Sequence, residues 1–569
     1  MDAITSALAA LREKLTGPGA PFELVEVDVG GRRCRAYRHA KATLPDLVNC
    51  ARVHGEKPFI VYQDDTWTYA RLFAEADALA WGLRERLGVQ PGDRVAIAMR
   101  NRPEWVVAFL GAVLAGAVPA PVNSYGLRDE LLGACASVEA RVLILDNDRL
   151  KRLGEEWRSL GAEAVLCDGE PEPGSAVHGW RELTQPQRDG PPPIHPVPQE
   201  PALLLFTSGA SARPKAVLLT HIAVCQSIMN IDYIGAQSAL SSPALVEELV
   251  RRALPPTTLT AVPLFHVSGL YAQLLTSLVN GRRLVFMHRW DPAEAIALIG
   301  RHRVTQFNGA PAMVMQMIEH PAFDFAEMRR TLAAVGFGGA GLPQRLITEV
   351  LEGFGPSMSG IGFGMTETGG VTSAMSGDAF RARPASSGTI SPIIDIRIAD
   401  PDDRPLPEGE AGEIQVRGVS VMREYWGQPE ATAAALRDGW LRTGDIGYLQ
   451  DGYLFVVDRI KNVINRAGEK IAAAEIESCL LQHPGLAEAA AMPIPDLRYG
   501  EAVAAVVVPK PGSEVTETEL RAFVAERLAA YKVPSRILVR REPLPTNAAG
   551  KILKHELRRE LSEAGPAGA

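Results

Sequence analysis

At 569 residues the chain is too long for one domain, and its length predicts about three or four units. An apolar fraction of 46% with 22% charged residues describes an ordinary soluble globular protein, and a net charge of -8 argues against a general nucleic-acid binder. The six cysteines (Cys34, Cys50, Cys135, Cys167, Cys225, Cys479) lack metal-ligand spacing and read as reduced, mostly buried thiols of a cytoplasmic protein.

Residues 1–16, containing Arg12, Glu13 and Lys14, read as a short amphipathic helix rather than a signal peptide. Residues 23–37 alternate around Gly30 and Gly31, which predicts a β-hairpin. A helix over 68–87, a strand over 93–98, a helix over 103–115 and strands over 118–122 and 142–145 follow. Such alternation favours parallel sheets covered by helices. The longest apolar run, 105–122, is broken by Pro119 and Pro121, so it reads as a core helix and not a membrane span. Peripheral membrane contact stays compatible with the sequence.

Residues 169–200, rich in Pro, Gly and charge, predict a surface connection. A long helix is expected from about His221, and 236–258 stays unassigned, with 243–253 favouring a helical excursion. Short strands are expected at 260–262, 284–286, 305–307 and 332–336. Strands at 394–399, 412–417 and 453–457 predict a small β-rich subdomain. From Val463 onward the pattern is α+β, with helices at 475–482 and 517–528 and strands at 486–492, 502–509 and 536–539. The fold class is therefore α/β: a large N-terminal domain of parallel, helix-covered sheets with a β-rich part, and a small α+β C-terminal cap.

Chemistry concentrates in a few stretches. Residues 203–217 run from four apolar residues into a Ser, Thr, Gly and Ala loop closed by Pro214 and Lys215. Free backbone N–H groups, the hydroxyls of Thr207, Ser208 and Ser211, and the Lys215 ammonium suit a phosphate. In 362–367 an aromatic, Phe363, stands between Gly362 and Gly364, followed by Met365, Thr366 and Glu367. Such a ring can lie flat on a purine, while a carboxylate can hold Mg2+. Asp445, after Thr443 and Gly444, can accept both hydroxyls of a ribose.

With Asp458, Arg459, Ile460 and Lys461, and with the run Pro545 to Lys551, these stretches resemble the adenylate-forming superfamily of acyl-CoA synthetases, luciferases and peptide-synthetase adenylation domains. The resemblance spans about 44–557, with the signatures in family order. It implies that the loop from Thr207 through Ser208, Gly209 and Ser211 to Lys215 grips ATP phosphates, and that Gly338, Gly339 and Ala340 flank adenine. Phe363 then replaces the family's adenine-stacking Tyr, with Gly362, Gly364, Met365 and Val457 beside the nucleotide. Thr366 would touch the α-phosphate, Glu367 the Mg2+, and Asp445 with Arg459 the ribose. Lys551 would reach the reacting carboxylate. His266 matches the gate between acid and CoA routes; without the resemblance it reads as a satisfied core histidine. Phe265, Gly269, Asn308, Gly309, Ala310, Gly336 and Phe337 would line the acyl pocket. Gly468, Glu469 and Lys470 would border the CoA route, and Lys461 would be the pivot of a hinge at 459–461 between a large domain, 1–458, and a mobile cap, 462–569.

The implied activity joins a carboxylic acid to AMP and then to CoA, with ATP, Mg2+ and CoA as the small molecules involved. The apolar, Gly- and Ala-rich pocket segments favour a medium- or long-chain fatty acid, with an aryl or polycyclic acid as the alternative. An acyl-AMP ligase loading a carrier protein and a non-catalytic nucleotide-binding homologue are the other readings, and a homodimer stays compatible. Ala210, Ala212 and Ala216 replace a hydroxyl and two glycines of the family loop, which predicts weaker ATP binding and, where φ is positive, strain. Ile361 stands where relatives often carry Asn or Gln.

Overall fold

Short strands buried on both faces need helices on both sides, and two parallel sheets meet that need here. The computed structural model describes residues 3–185, 189–207, 214–338, 344–466, 469–496, 499–547 and 550–563. One five-stranded sheet has the order Val118–Pro121, Arg94–Ala98, Val142–Leu145, Glu163–Leu166, Val177–Gly179, with every pairing parallel. In the largest sheet, Pro58–Tyr62, Arg283–Phe286, Thr257–Thr260, Gln306–Gly309, Ala334–Phe337 and Gly360–Met365 lie side by side, also parallel.

The covering helices start where the sequence supplies caps. Tyr69–Glu85 follows Thr68, whose hydroxyl accepts the Arg71 N–H, and Pro103–Leu114 opens on a proline that needs no donor. Residues Trp105 to Leu114 are all buried, so the longest apolar run serves the core. Among the described residues no helix is long and apolar enough to cross a membrane. All six cysteines are free, and Cys135, Cys167, Cys225 and Cys479 are buried.

The expected β-rich subdomain is not a separate sheet. Its strands extend the largest sheet in antiparallel fashion, from Gly360–Met365 through Gly370–Ser376, Thr389–Ile390, Tyr453–Arg459, Trp440–Gln450 and Gly412–Gly418 to Ile394–Ala399. The edge strand Gly360–Met365 otherwise leaves a row of backbone donors and acceptors unpaired, and the extension satisfies them. The unassigned stretch continues one helix, His221–Ser241, and starts another, Pro243–Arg252, with the break at the proline. The strand expected at 260–262 lies earlier, at Thr257–Thr260, ahead of Pro263, which has no N–H for a ladder.

A third sheet joins Pro201–Phe206, Ala216–Thr220 and Glu424–Tyr425, all antiparallel. The C-terminal domain has its own five-stranded sheet, built on the long pair Leu486–Asp496 and Gly500–Pro509 and packed by Ala473–Leu480 and Glu517–Ala525. In the largest sheet the parallel strands all end on one edge. Residues that follow those ends, His266, Ala310, Gly338 and Glu367, are thereby collected on that edge, where open α/β sheets bind ligands.

Candidate active site

The phosphate-type loop has a closed neck. Thr207 N–H donates to the Lys215 carbonyl at 3.0 Å, and Lys215 N–H reaches the Thr207 hydroxyl at 3.4 Å. Ser208, Gly209, Ala210, Ser211 and Ala212 lie outside the described residues. Ala216 sits in an extended strand opposite Phe206 and has no positive φ, so alanine there carries no backbone strain. Lys215 Nζ lies 4.5 Å from the centroid of the Tyr425 ring. The Tyr425 hydroxyl donates to Glu367 Oε1 at 2.9 Å.

Glu367 belongs to the turn Thr366–Thr368 directly after the strand Gly360–Met365. Thr368 locks that turn, its hydroxyl accepting Met365 N–H at 2.9 Å and donating to Gly370 O at 2.7 Å. Burial raises the Glu367 pKa above its ordinary value, against which the Tyr425 hydrogen bond and the Arg459 charge pull down. Gly364 is needed where it stands, because a Cβ there would overlap the Gly370 carbonyl oxygen. Phe363, half-buried, packs against the apolar cluster that includes Ile394, Ile414 and Leu454, while Ile361 packs on the cluster around Phe307 and Val335.

Asp445 and Arg459 are register partners on adjacent antiparallel strands and form an ion pair at 3.2 Å. Glu413 supports the turn before Asp445 by accepting Gly444 N–H at 3.0 Å and Arg442 Nε at 2.9 Å. Lys551 joins this group from the C-terminal domain. Burial, then Arg459 and Lys461, push its pKa down from the ordinary 10.5 to about 7, with Asp445 opposing. Partial burial and Arg459 also lower Lys461, which lies in the turn Ile460–Asn462. The loop is shaped by Lys551 N–H donating to Asn547 Oδ1 at 2.9 Å and by Asn547 N–H donating to the Lys551 carbonyl at 2.8 Å. Its Gly550 has φ +74°, and a Cβ there would stand 2.9 Å from Ala310 Cβ. The tip of the small domain therefore rests on the expected acyl-pocket segment of the large one.

His266 is no satisfied core histidine: its Nε2 is buried with no hydrogen-bond partner among the described residues, and burial pushes its pKa down to about 4. Its ring lies 4.5 Å from Phe265, whose ring is 6.2 Å from Tyr125; the Arg100 guanidinium stacks 3.2 Å from the Tyr125 centroid. Arg100 stands among Arg149, Arg152 and Arg289, and burial followed by the Arg149 charge lowers its pKa to about 10. Gly269 packs on the Pro263 carbonyl, Gly309 on Phe307, and Gly336 on the Asn308 amide; Phe337 is buried, whereas a Cβ on Gly338 would meet nothing among the described residues.

Tyr425, Tyr125 and Arg100 went unnoticed in the sequence. Each owes its place to strand pairing or stacking across distant segments, with no local motif to mark it. Gly339, Ala340 and Gly468 lie outside the described residues. Glu469 and Lys470 are on the edge strand Glu469–Ile471 of the small domain, and Val457 lies in Tyr453–Arg459 two residues from Arg459.

Comparison with known proteins agrees with this arrangement. The family described as AMP-binding enzyme matches residues 47–426, and the AMP-binding enzyme C-terminal domain matches 475–551. A feruloyl-CoA synthase from Amycolatopsis sp is 36% identical over 87% of this chain and 94% of that protein. The 4-coumarate–CoA ligase 2 of Nicotiana tabacum is 31% identical over 88% of this chain and 90% of its own length. Among solved structures, o-succinylbenzoate CoA synthetase from Bacillus subtilis, bound to its acyl-adenylate, superposes with a TM-score of 0.71 at 28% identity, covering 90% of this chain and 97% of that one. The charge cluster, the closed loop neck and these matches together make the chain a member of the AMP-binding enzyme family, the adenylate-forming enzymes.

Proposed function

We propose that this protein is an acid–CoA ligase that activates an aromatic acid, of the hydroxycinnamate type, through an acyl-adenylate. The observation that supports the ligase reading is the Gly550–Lys551 tip seated on Ala310 with Lys551 near the Asp445–Arg459 pair, since on this reading it would set a lysine between the nucleotide and the acid. The acid is read from the feruloyl-CoA and 4-coumarate relatives. The fatty acid expected from pocket composition gives way, because Gly and Ala walls accept a flat ring as well as an alkyl chain.

In the first half-reaction a carboxylate oxygen attacks the α-phosphorus of ATP, the bond to the bridging oxygen breaks, and pyrophosphate leaves. All the reacting groups are anionic, so catalysis rests on placed positive charge. Lys551 would face the carboxylate, Lys215 with the Thr207 loop the outer phosphates, and Asp445 with Arg459 the ribose, with the aromatic Phe363 beside the base. Burial and the neighbouring cations push the Lys551 pKa down to about 7, and the charge of ATP would favour its protonated form. Glu367 is a buried carboxylate beside the buried Asp445, a hard-oxygen donor that suits Mg2+, a cation that keeps few protein ligands and would neutralise phosphate charge.

In the second half-reaction the CoA thiolate attacks the acyl carbonyl and AMP leaves. His266 is uncharged at neutral pH, so it gates the passage without trapping either anion. The row Phe265, Tyr125, Arg100 leads from this gate to a cationic corner that would suit the phosphates of CoA, with Arg152 and Arg289 near Arg100, while Arg149 is buried and paired with Asp146. Lys551 would have to withdraw for this step, with Lys461 in the turn that lets the small domain swing. A panel of fatty, benzoic and cinnamic acids, assayed with ATP, Mg2+ and CoA, tests the reading. Hydroxycinnamates should show the highest kcat/KM, and a clear preference for alkyl acids would overturn the assignment of the acid.

A further inference from the structure

We infer that Asp458 is a positioning residue for the first half-reaction, a latch that holds the small domain where it seats Lys551; this rests on the two-step ligase reading above. Asp458 belongs to the large domain, on the strand Tyr453–Arg459, where it pairs with Ile446 one residue before the Asp445–Arg459 pair. Its carboxylate reaches further. Oδ1 accepts the Arg459 N–H at 2.7 Å and, at 3.1 Å, the side-chain amide of Asn462 in the turn Ile460–Asn462. Oδ2 accepts the Ala474 N–H of the small domain at 3.0 Å.

Ala474 is the second residue of the helix Ala473–Leu480, whose first-turn N–H groups have no carbonyl of their own helix to bond. Elsewhere the chain caps such helices locally: Thr68, Thr220 and Thr516 each accept an N–H from the helix that follows them. Here the cap position is Ala472, which has no side-chain oxygen. Glu475 stands where a carboxylate can fold back on the cap, but its two oxygens hold Lys532 Nζ at 2.6 and 2.7 Å. The helix therefore takes its cap from across the hinge, and a carboxylate there also suits the positive end of the helix dipole.

A cap supplied by another domain depends on the pose. Asp458 is held by its strand ladder, whereas Ala474 travels with the small domain when that domain turns about Lys461. The movement that withdraws Lys551 thus parts Oδ2 from the Ala474 N–H. A bond made only in the seated pose favours that pose, by about 2- to 30-fold in population if it is worth an ordinary helix cap. Asp458 touches neither nucleotide nor acid in this role. It acts through the placement of Lys551.

The test uses the full-length protein with the best acid of the panel above, and compares ATP–pyrophosphate exchange with thioester formation from synthetic acyl-AMP and CoA. In Asp458→Asn the amide oxygen stays with the two donors of Arg459 and Asn462, which sets its NH2 against the Ala474 N–H, donor to donor. Exchange should fall about 2- to 30-fold in kcat, with KM for ATP within about twofold, while thioester formation holds or rises. Adding Ala472→Ser gives the helix a cap that travels with it, so the thermal midpoint should recover and the exchange rate should not. Ala472→Ser alone decides the matter where Asp458→Asn fails to fold: it should lower exchange relative to thioester formation. Equal losses in both half-reactions, recovery of exchange in the double variant, or an unchanged ratio in Ala472→Ser overturns the latch alone. A wild type that exchanges pyrophosphate with no acid overturns the ligase reading and the latch with it.

Discussion

Between Lys215 and Glu367 stands Tyr425, its ring 4.5 Å from one and its hydroxyl 2.9 Å from the other. The two charged residues were legible in the sequence because each sits in a compact stretch whose neighbours announce an anion site. Tyr425 was not, because its position follows from the pairing of Val217 with Tyr425 between strands remote in sequence. Removing the hydroxyl in Tyr425→Phe takes away a hydrogen bond to a carboxylate, a contact typically of about 1.5–3 kcal/mol. That predicts roughly a 10- to 100-fold fall in kcat/KM for ATP. The bond favours the ionised form of Glu367, so its loss leaves burial to raise that pKa further. The acid limb of the pH–rate profile should shift to higher pH, with activity lost first at low pH. A profile that keeps its acid limb while the rate falls would mean that Tyr425 does not act through Glu367.

At the scale of elements, the alternating strands and helices were legible because periodicity and caps are local, as in the Thr68 cap and the Pro103 start. The antiparallel extension of the large sheet was not, since nothing in an isolated strand names its partner. The same limit applied to Ala216, where the loss of a family glycine signalled strain that an extended strand does not feel. The loop Pro545 to Lys551 carries the docking contact. Gly550 combines a left-handed backbone, costing a side chain about 1–2 kcal/mol, with a Cβ position 2.9 Å from Ala310. Gly550→Ala should therefore lower ATP–pyrophosphate exchange about tenfold or more, the strain and the steric conflict acting together. Thioester formation from synthetic aryl-AMP should persist, and the thermal midpoint should change little, because the strain falls on a loop tip. Equal losses in both half-reactions would contradict a docking role for this glycine.

The molecule as a whole brings charges from three places onto one edge: Lys215 from the small sheet, Glu367 and the Asp445–Arg459 pair from the large one, and Lys551 from the C-terminal domain. The sequence disclosed the members of this set through their motifs, and the fold supplies their convergence. It also seats Lys551 beside Arg459 and Lys461, and burial followed by these charges pushes its pKa down to about 7. On the proposed reading an anionic substrate would favour its protonated form, and the seated tip would belong with adenylation. The central claim is that a carboxylate oxygen becomes bonded to the α-phosphorus and stays there when CoA takes the acyl group. Turnover of ferulate labelled with oxygen-18 in its carboxylate, followed by mass spectrometry of the nucleotide, tests it most directly. The account predicts one labelled oxygen in AMP and unlabelled pyrophosphate; label in inorganic phosphate with release of ADP, or AMP free of label, would contradict it.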